Sequence, residues 1–206
     1  MAKREEGISE KLIKYATAEF LKKGFQGASL REIAKHAGIS TGAIYIRFPD
    51  KAALFGALVE PAADDLKTQF QSAQDSHFDL IDLEKSDKSW DLTEEYVFSF
   101  IDCIYENYDA FKLIVCRSEG SRYQSFFDEL VELEVDRTIQ YHNQLRSLGK
   151  LQGSVSPEVH HMLTSALFTA VLEVVQHDMS KEEALKYIGE VMRFFTCGWN
   201  GLLTFL

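Results

Sequence analysis

Proline, cysteine and long apolar runs are all scarce in this sequence, and each scarcity excludes a class of protein. Only 3 of the 206 residues are Pro and 12 are Gly, while helix-forming residues dominate long stretches, which favours an all-α fold over a β-sandwich or barrel. No apolar run reaches the roughly 18 residues of a membrane span, and the first six residues lack the apolar core of a signal peptide. We therefore expect a cytoplasmic protein with no membrane partner.

The sequence also has little that indicates a metal site or a catalytic centre. Cys103, Cys116 and Cys197 are an odd number and lie far apart, which predicts free thiols and no cysteine-rich zinc site. No Gly-x-Ser-x-Gly, phosphate loop or His-Glu-x-x-His is present. Glu173 and His177 are four residues apart and could hold a metal ion, but two ligands are too few. We expect no metal and no cofactor, and we keep an enzyme only as an alternative.

Charge is distributed unevenly along the chain. The formal net charge is −10, yet residues 1–51 hold ten Lys and Arg against six Asp and Glu. A basic segment gains from contact with phosphates, whereas an acidic remainder gains solubility from its net charge. The distribution predicts a small basic head on a larger acidic body.

Helical periodicity divides the head into three short helices. The first carries an apolar stripe with a spacing of four residues and ends near Gly24. Ser29 and Glu32 have capping-box spacing, which predicts the start of a second helix. Gly38 can adopt a positive φ in a sharp turn, and a third helix then runs to Phe48.

The third helix has an unusual outer face. If Ile44 points inward, an advance of 100° per residue places Gly42 and Ile46 on the opposite side. Glycine costs roughly 1 kcal/mol of helix stability relative to alanine, so exposure to water does not explain this face. A helix in the DNA major groove does, because small outward residues let its backbone approach the base edges. Two short helices joined by a turn with Gly are typical of a helix-turn-helix unit.

The head therefore offers candidate contacts to double-stranded DNA. Polar groups at the rim of the third helix and at the start of the second suit phosphates, and the outer face suits bases. Tyr45 could instead pack on the first helix, Arg47 could be a solvated charge, and Thr41 could be only a cap. The predicted DNA-binding residues are Ser29, Arg31, Ser40, Thr41, Gly42, Ala43, Tyr45, Ile46, Arg47 and Lys51.

A combination of these residues also matches a family pattern. It consists of Phe20, Gly24-Phe25, Ser29-Leu-Arg-Glu-Ile-Ala34, Ala37-Gly-Ile-Ser40, Gly42, Tyr45, Phe48, Lys51 and Leu54. With it, the chain resembles the TetR family of bacterial transcriptional repressors, although Arg47 stands where the family often has an aromatic residue or histidine. The resemblance implies an all-α dimer of about nine helices per subunit. It also implies an effector pocket in the larger domain and release of DNA when that pocket is filled.

We accordingly predict an all-α fold with two domains. Residues 1–50 would form a three-helix helix-turn-helix DNA-binding head, and residues 51–206 a larger helical domain for effector binding and dimerisation. Within 51–206 the pattern stays helical except in two connections. Residues 75–91, rich in Asp, Ser and Lys, are predicted to be irregular, and residues 149–156 to be a loop.

Polar side chains inside apolar helices are candidates for the effector pocket, because such pockets are mostly apolar with a few orienting polar groups. The predicted effector-binding residues are Ser99, Asp102, Cys103, Cys116, Arg117, Tyr141 and His142. Structural roles stay open for them, including ion pairs of Arg117 with Glu119 or with Asp102.

The last two predicted helices carry wide apolar faces that suit a four-helix bundle with a twofold partner. The predicted dimer-interface residues are Met162, Ala166, Ala170, Val174, Ile188, Met192, Phe195 and Trp199. The alternative is that both faces are used inside the subunit.

Together these features predict a homodimeric repressor that binds a palindromic operator and leaves it when a small-molecule effector binds. A transcriptional activator of the same fold and an all-α protein-interaction module are the alternatives.

Overall fold

The computed structural model describes the backbone of residues 2–206 and the side chains from residue 10 onward. In this part of the chain, nine α-helices account for most residues, as the predicted all-α class requires. They are α1 (Ala2–Gly27), α2 (Leu30–Ala37), α3 (Thr41–Arg47), α4 (Lys51–Asp82), α5 (Ser89–Glu106), α6 (Tyr108–Arg117), α7 (Phe126–Ser147), α8 (Pro157–Gln176) and α9 (Lys181–Asn200). None of these helices, within the described residues, is long and apolar enough to cross a membrane.

The chain divides into two compact units. The first unit comprises Met1–Asp64 and Asn107–Gln124, and the second comprises Asp65–Glu106 and Ser125–Leu206. The first unit contains the predicted head together with the start of α4 and with α6. The predicted domain boundary at residue 50 stays a prediction.

The core of the first unit is built on α1. Leu12, Ala16 and Phe20 of its apolar stripe are buried, while Ile8 lies outside the described side chains. Phe20 meets the ring of Phe55 edge-on at 5.0 Å between centroids. α1 packs against both α2 and α6. Near its end the backbone kinks at Gly24, which has φ 70° and ψ 170°, a conformation that glycine adopts without steric cost.

The second unit is a bundle in which α7 packs on α8, and α9 on both α5 and α8. Two short strands that the sequence did not predict, β1 (Leu151–Gln152) and β2 (Thr204–Phe205), pair in antiparallel fashion beside it. β1 contributes Leu151 to a buried cluster that also contains Ile81, Tyr141, Leu145, Trp199 and Leu203. This pairing ties the chain after α9 to the core.

The predicted irregular connection over residues 75–91 is wrong. α4 continues to Asp82, a 3-10 turn covers Ser86–Lys88, and α5 begins at Ser89. The reason is packing: Ile81 is buried, and Phe78 lies edge-on to Tyr141 at 5.5 Å. The charged residues of this segment therefore face solvent, while its buried apolar residues pack against the bundle and stabilise the helix.

Candidate nucleic-acid interface and ligand cavity

The turn between α2 and α3 follows directly from three residues. Gly38 closes α2 in the left-handed region at φ 69° and ψ 31°, and the next amide, of Ile39, donates to the Ala34 carbonyl at 3.0 Å. Ser40 then accepts a hydrogen bond from the Ala43 amide at 3.1 Å and caps α3. These bonds satisfy backbone groups that both helix ends would otherwise leave unpaired.

The outer face of α3 is uncovered. Ile44 is fully buried, whereas Ile46 is 86% exposed and Tyr45 is 53% exposed. A Cβ added to Gly42 would meet Ser40 Oγ at 3.8 Å and no other atom of the described residues within 4 Å. The inward direction predicted for Ile44 thus agrees with the structure, and the opposite face is open to another molecule.

The polar rim of this face is formed by exposed or half-buried side chains. Arg31 and Arg47 are exposed, and Arg47 Nη1 lies 3.4 Å from the Ala43 carbonyl oxygen. Ser29 has the extended backbone of an N-cap, but its hydroxyl makes no capping bond. The predicted capping box is therefore not formed, and Glu32 lies instead 3.9 Å from the ammonium group of Lys35.

Lys51 has a structural contact that the sequence did not predict. Its Nζ donates to the carbonyl oxygens of Gln26 at 2.8 Å and Ala28 at 3.3 Å, and it lies 5.0 Å from the centroid of Phe25. A cation in this position satisfies carbonyl groups at the end of α1. The predicted phosphate contact of Lys51 stays a prediction.

The second unit encloses a cavity of about 160 Å³. Four helices each contribute one face, with a spacing of three and four residues that places side chains on the same side of a helix. The lining residues are Phe70, Ala73, Gln74, His77 and Phe78 of α4; Ser89, Trp90, Thr93, Tyr96, Val97 and Phe100 of α5; Glu134, Arg137, Thr138, Tyr141 and His142 of α7; His160, Leu163, Thr164, Leu167, Phe168 and Val171 of α8; and Trp199 and Phe205.

Most polar groups of the lining are paired with one another. The hydroxyls of Tyr141 and Ser89 lie 2.7 Å apart, and His77 Nε2 lies 3.0 Å from the Thr93 hydroxyl. Buried polar groups cost free energy unless they are hydrogen-bonded. Because of these hydrogen bonds, the paired polar atoms of the cavity wall are buried without a large cost in folding free energy.

Two buried imidazoles lie at one end of the cavity. His142 and His160 are each 5% exposed, with ring centroids 5.6 Å apart. Burial, with a smaller effect from His160, lowers the pKa of His142 to about 3, and burial also lowers the pKa of His160. Both rings are thus neutral at pH 7, since desolvation disfavours their charged form.

Two nitrogen atoms of the wall have no hydrogen-bond partner among the described residues. They are Nε2 of His160 and Nε1 of Trp90, and both are buried. The other imidazole nitrogen of His160 lies 3.3 Å from the Thr164 hydroxyl. Unpaired buried polar atoms are rare in folded proteins, so these two indicate a place where a further group can bind.

The structure brings together only two of the predicted effector residues, Tyr141 and His142. The predicted residues Ser99, Asp102 and Cys103 do not line the cavity. Ser99 is exposed, and Asp102 accepts from Lys181 at 2.8 Å.

The three predicted cysteine and arginine positions have other surroundings. Cys103 lies 3.5 Å from an oxygen of Asp65, and burial, reinforced by Asp65, raises its pKa to about 12. Cys116 and Arg117 belong to the first unit, whereas the cavity lies in the second.

Sequence reasoning missed His77 and the indole of Trp90 because both fall in the segment predicted to be irregular.

The predicted dimer residues differ in exposure. Val174, Ile188, Met192 and Trp199 are buried within the chain itself, whereas Met162 is 67% exposed. Ala166 is exposed, and Ala170 and Phe195 are half-buried. Phe194, 74% exposed on α9, was not predicted. A spacing of four residues drifts by about 40° per step on a helix, so the stripe from Met162 to Val174 passes from the exposed side of α8 to its buried side.

The possible metal pair is an internal contact in the structure. His177 Nε2 lies 2.6 Å from Glu173 Oε2 on the surface of α8. Across the described side chains, no group of three or more His, Cys, Asp or Glu residues is arranged to hold a metal ion.

Comparison with known proteins gives a family match for the N-terminal part of the chain and fold matches for nearly all of it. Residues 12–58 match the family described as "Bacterial regulatory proteins, tetR family". The fold is similar to NalD, the secondary repressor of the MexAB-OprM multidrug efflux pump in Pseudomonas aeruginosa, with 19% identity, a TM-score of 0.59 and coverage of 94% of this chain and 97% of NalD.

Two further structures share this fold. SmeT, the repressor of the Stenotrophomonas maltophilia multidrug efflux pump SmeDEF, is 17% identical, with a TM-score of 0.60 and coverage of 95% of this chain and 90% of SmeT. FadR of Bacillus subtilis, solved in complex with stearoyl-CoA, is 10% identical, with a TM-score of 0.57 and coverage of 91% and 97%. At such low identity these structures establish the all-α fold and nothing about the ligand.

Proposed function

Because the chain belongs to the TetR family of bacterial transcriptional regulators, we propose that it is a ligand-responsive repressor. In this proposal a homodimer binds a palindromic operator in the cytoplasm and leaves it when a small-molecule effector fills the cavity of the second unit. No chemical step is required, because binding alone changes transcription.

The observation that carries the proposal is the open face of α3. Gly42 leaves room for the helix backbone to approach base edges, and the exposed side chain of Ile46 can contact a thymine methyl group. Arg47 is exposed on α3 and Arg31 is exposed on α2, and both can neutralise phosphates. Phosphate contacts fix the position of the protein on DNA, and base contacts give specificity.

A twofold partner would present a second α3 to the same duplex. Half-sites about 34 Å apart place two such helices in successive major grooves. We propose that the partner covers the exposed apolar side chains Met162 on α8 and Phe194 on α9. Large exposed apolar groups on neighbouring elements are typical of protein interfaces.

The cavity supports effector control. It is lined mainly by apolar and aromatic side chains with a few polar groups, as ligand sites usually are. NalD and SmeT are repressors of efflux pumps, and this supports repression as the direction of control. We propose that α4, which contributes residues to both units, transmits the effect of the ligand. Coupling of this kind is typically worth about 1 to 3 kcal/mol.

The proposal is tested by measuring binding to the DNA upstream of the protein's own gene at two salt concentrations. Affinity should fall steeply with salt, because Lys and Arg contacts release counterions from DNA. Ile46→Glu should lower affinity by about 100-fold or more, because a carboxylate would face the bases and phosphates. Leu83→Glu is the matched control, since Leu83 is an exposed apolar residue of the second unit.

Failure of the wild-type protein to bind DNA at either salt concentration would overturn the proposal and favour the protein-interaction module. An equal loss of affinity in both glutamate variants would show that added negative charge, and not the face of α3, determines binding. Transcription of a reporter with and without the protein separates repression from activation.

A further inference from the structure

We propose that the cavity of the second unit binds a compact, uncharged aromatic molecule that carries a hydroxyl group, of the phenol type. This inference rests on the proposed function, in which that cavity is the effector site, and it adds the chemical class of the effector. Size, shape, polarity and charge of the cavity wall support it independently.

The volume suits a ligand of about one ring. An engineered protein cavity of about 150 Å³ is known to bind benzene, and the cavity here measures about 160 Å³. A single six-membered ring with small substituents matches that space.

Aromatic rings from several helices surround the space. Phe168 of α8 meets Phe70 of α4 edge-on at 5.9 Å, and Phe78 of α4 meets Tyr141 in the same way at 5.5 Å. Aromatic pairs prefer edge-to-face or offset arrangements, which stabilise them beyond the effect of area burial. A planar aromatic ligand can continue this pattern of contacts, whereas a flexible aliphatic ligand cannot.

Two residues of the wall carry buried nitrogen atoms that the described part of the chain leaves unpaired. Nε2 of His160 and Nε1 of Trp90 are buried and have no partner within the described residues. The indole nitrogen can only donate, while the imidazole nitrogen donates or accepts according to its tautomer. A hydroxyl group both donates and accepts, so it can satisfy either atom, and satisfying a buried polar atom removes its desolvation cost.

The charged groups of the wall already have partners: a carboxylate for the guanidinium of Arg137, and neutral hydrogen-bond donors for the carboxylate of Glu134. Arg137 donates to Asp75 at 2.6 Å, and the Glu134 carboxylate accepts from Gln74 at 2.9 Å and from Thr138 at 3.0 Å. The imidazoles of His142 and His160 are neutral, as their lowered pKa values indicate. An anionic ligand would lose hydration without gaining an unpaired Arg or Lys in the lining described here, and a cationic ligand would lose hydration and compete with the hydrogen bonds that Glu134 already accepts.

The test compares five probes on the full-length wild-type protein: phenol, toluene, benzoate, benzylammonium and dodecanoate. Both tryptophans of the chain line the cavity, so tryptophan fluorescence reports binding, and calorimetry provides the affinity. We expect phenol to bind most tightly, toluene several-fold more weakly, and the three ions at least about tenfold more weakly than phenol.

A matched pair of variants tests the hydrogen bond. His160→Phe keeps a planar ring beside Trp199 but removes both nitrogen atoms, and it should weaken phenol binding by roughly tenfold while leaving toluene unchanged. His161→Phe makes the same change at the next residue, which is exposed, and both affinities should stay at the wild-type level. If the His160 variant does not fold, the order of the five probes on the wild type decides alone.

Several outcomes would overturn the inference. Tighter binding of benzoate, benzylammonium or dodecanoate than of phenol would assign the site to an anion, a cation directed by Glu134, or an acyl chain. Equal weakening of phenol and toluene by His160→Phe would show that His160 contributes only shape.

DNA release is measured separately, so that the two proposals can fail independently. Phenol that binds in the cavity but leaves operator binding unchanged would support the ligand class and contradict effector control by it. A different molecule, found by extraction of the cell-purified protein, that releases DNA while phenol does not bind would support the proposed function and overturn this inference.

Discussion

In the first unit, the Ile46 side chain is 86% exposed on the surface of α3, whereas in the second unit two imidazoles, His142 and His160, are 5% exposed among aromatic rings. The usual distribution is the reverse, because apolar groups gain from leaving water and polar groups lose hydration. Each site is therefore a local departure from what folding alone favours.

The two departures suggest different partners. An exposed apolar face with a glycine at Gly42 suits a rigid surface that comes close to the backbone, as DNA does. A buried wall with unpaired nitrogen atoms, such as Nε2 of His160, suits a small molecule that fits inside. Residues that violate local folding rules are expected at functional sites, so both departures support the sites proposed for the two units.

The largest expected effects come from two isoleucines of the same short helix. Ile44→Ala should lower the free energy of unfolding by about 2 to 4 kcal/mol, because Ile44 is fully buried and its loss leaves a cavity. Ile46→Ala should leave stability within about 0.5 kcal/mol of wild type but lower DNA affinity several-fold. Denaturant unfolding and a DNA-binding titration measure the two quantities. Equal destabilisation by both substitutions would mean that the face of α3 is covered in solution.

The second prediction concerns acid and the buried imidazoles. In the folded protein the pKa of His142 is about 3, lowered by burial and by His160, Arg146 and His77, against 6.5 for the ordinary group. Between about pH 6.5 and pH 3, His142 is therefore protonated in the unfolded chain but neutral in the folded chain. Stability contributed by the neutral ring is fully present above pH 6.5 and is lost as the pH falls toward 3. The free energy of unfolding should drop by on the order of a few kcal/mol over that range.

His142→Phe isolates this contribution. The variant has no group to protonate at this position, so its free energy of unfolding should depend less on pH between 6.5 and 3 than that of the wild type. His161→Phe, at an exposed histidine, should retain the wild-type dependence. If all three proteins lose stability in parallel, carboxylates elsewhere control the acid transition, and the buried imidazole does not.

Much of the helix-turn-helix in the first unit could be predicted from sequence, because it depends on residues that are close together in the chain. The turn needs a left-handed residue and a cap, and Gly38 and Ser40 provide them at adjacent positions. Helical spacing then separates Ile44 from Ile46 without any knowledge of the rest of the fold. The contact of Lys51 with the Gln26 carbonyl could not be predicted, because it joins residues 25 positions apart.

The cavity was harder to predict because it needs four helices to be placed correctly. Residues 96–105 of α5 are apolar on nearly all sides, and the sequence does not show that Tyr96 and Val97 line the cavity while Ser99 and Asp102 do not. His77 lies in a segment whose polar composition hid its helical continuation. A stripe with spacing of three and four residues is present in each lining helix, and this periodic signal could have found the site.

The smallest expected effects come from two serines at helix N-caps, one in each unit. Ser180 accepts from the Glu183 amide, and Glu183 accepts from the Ser180 amide, so α9 has a complete capping box. Ser180→Ala should therefore lower the free energy of unfolding by about 1 kcal/mol and leave DNA affinity unchanged.

Ser29 begins α2 with the same extended backbone but with a hydroxyl that makes no capping bond. Ser29→Ala should change the free energy of unfolding by less than about 0.5 kcal/mol. It should nevertheless weaken DNA binding by roughly threefold, because the variant has no hydroxyl at this position to contact a DNA phosphate. Thermal unfolding and DNA titration of both variants separate the two roles. A stability loss at Ser29 equal to that at Ser180 would show that its hydroxyl caps α2 in solution, and the first unit would then lose one of its proposed phosphate contacts.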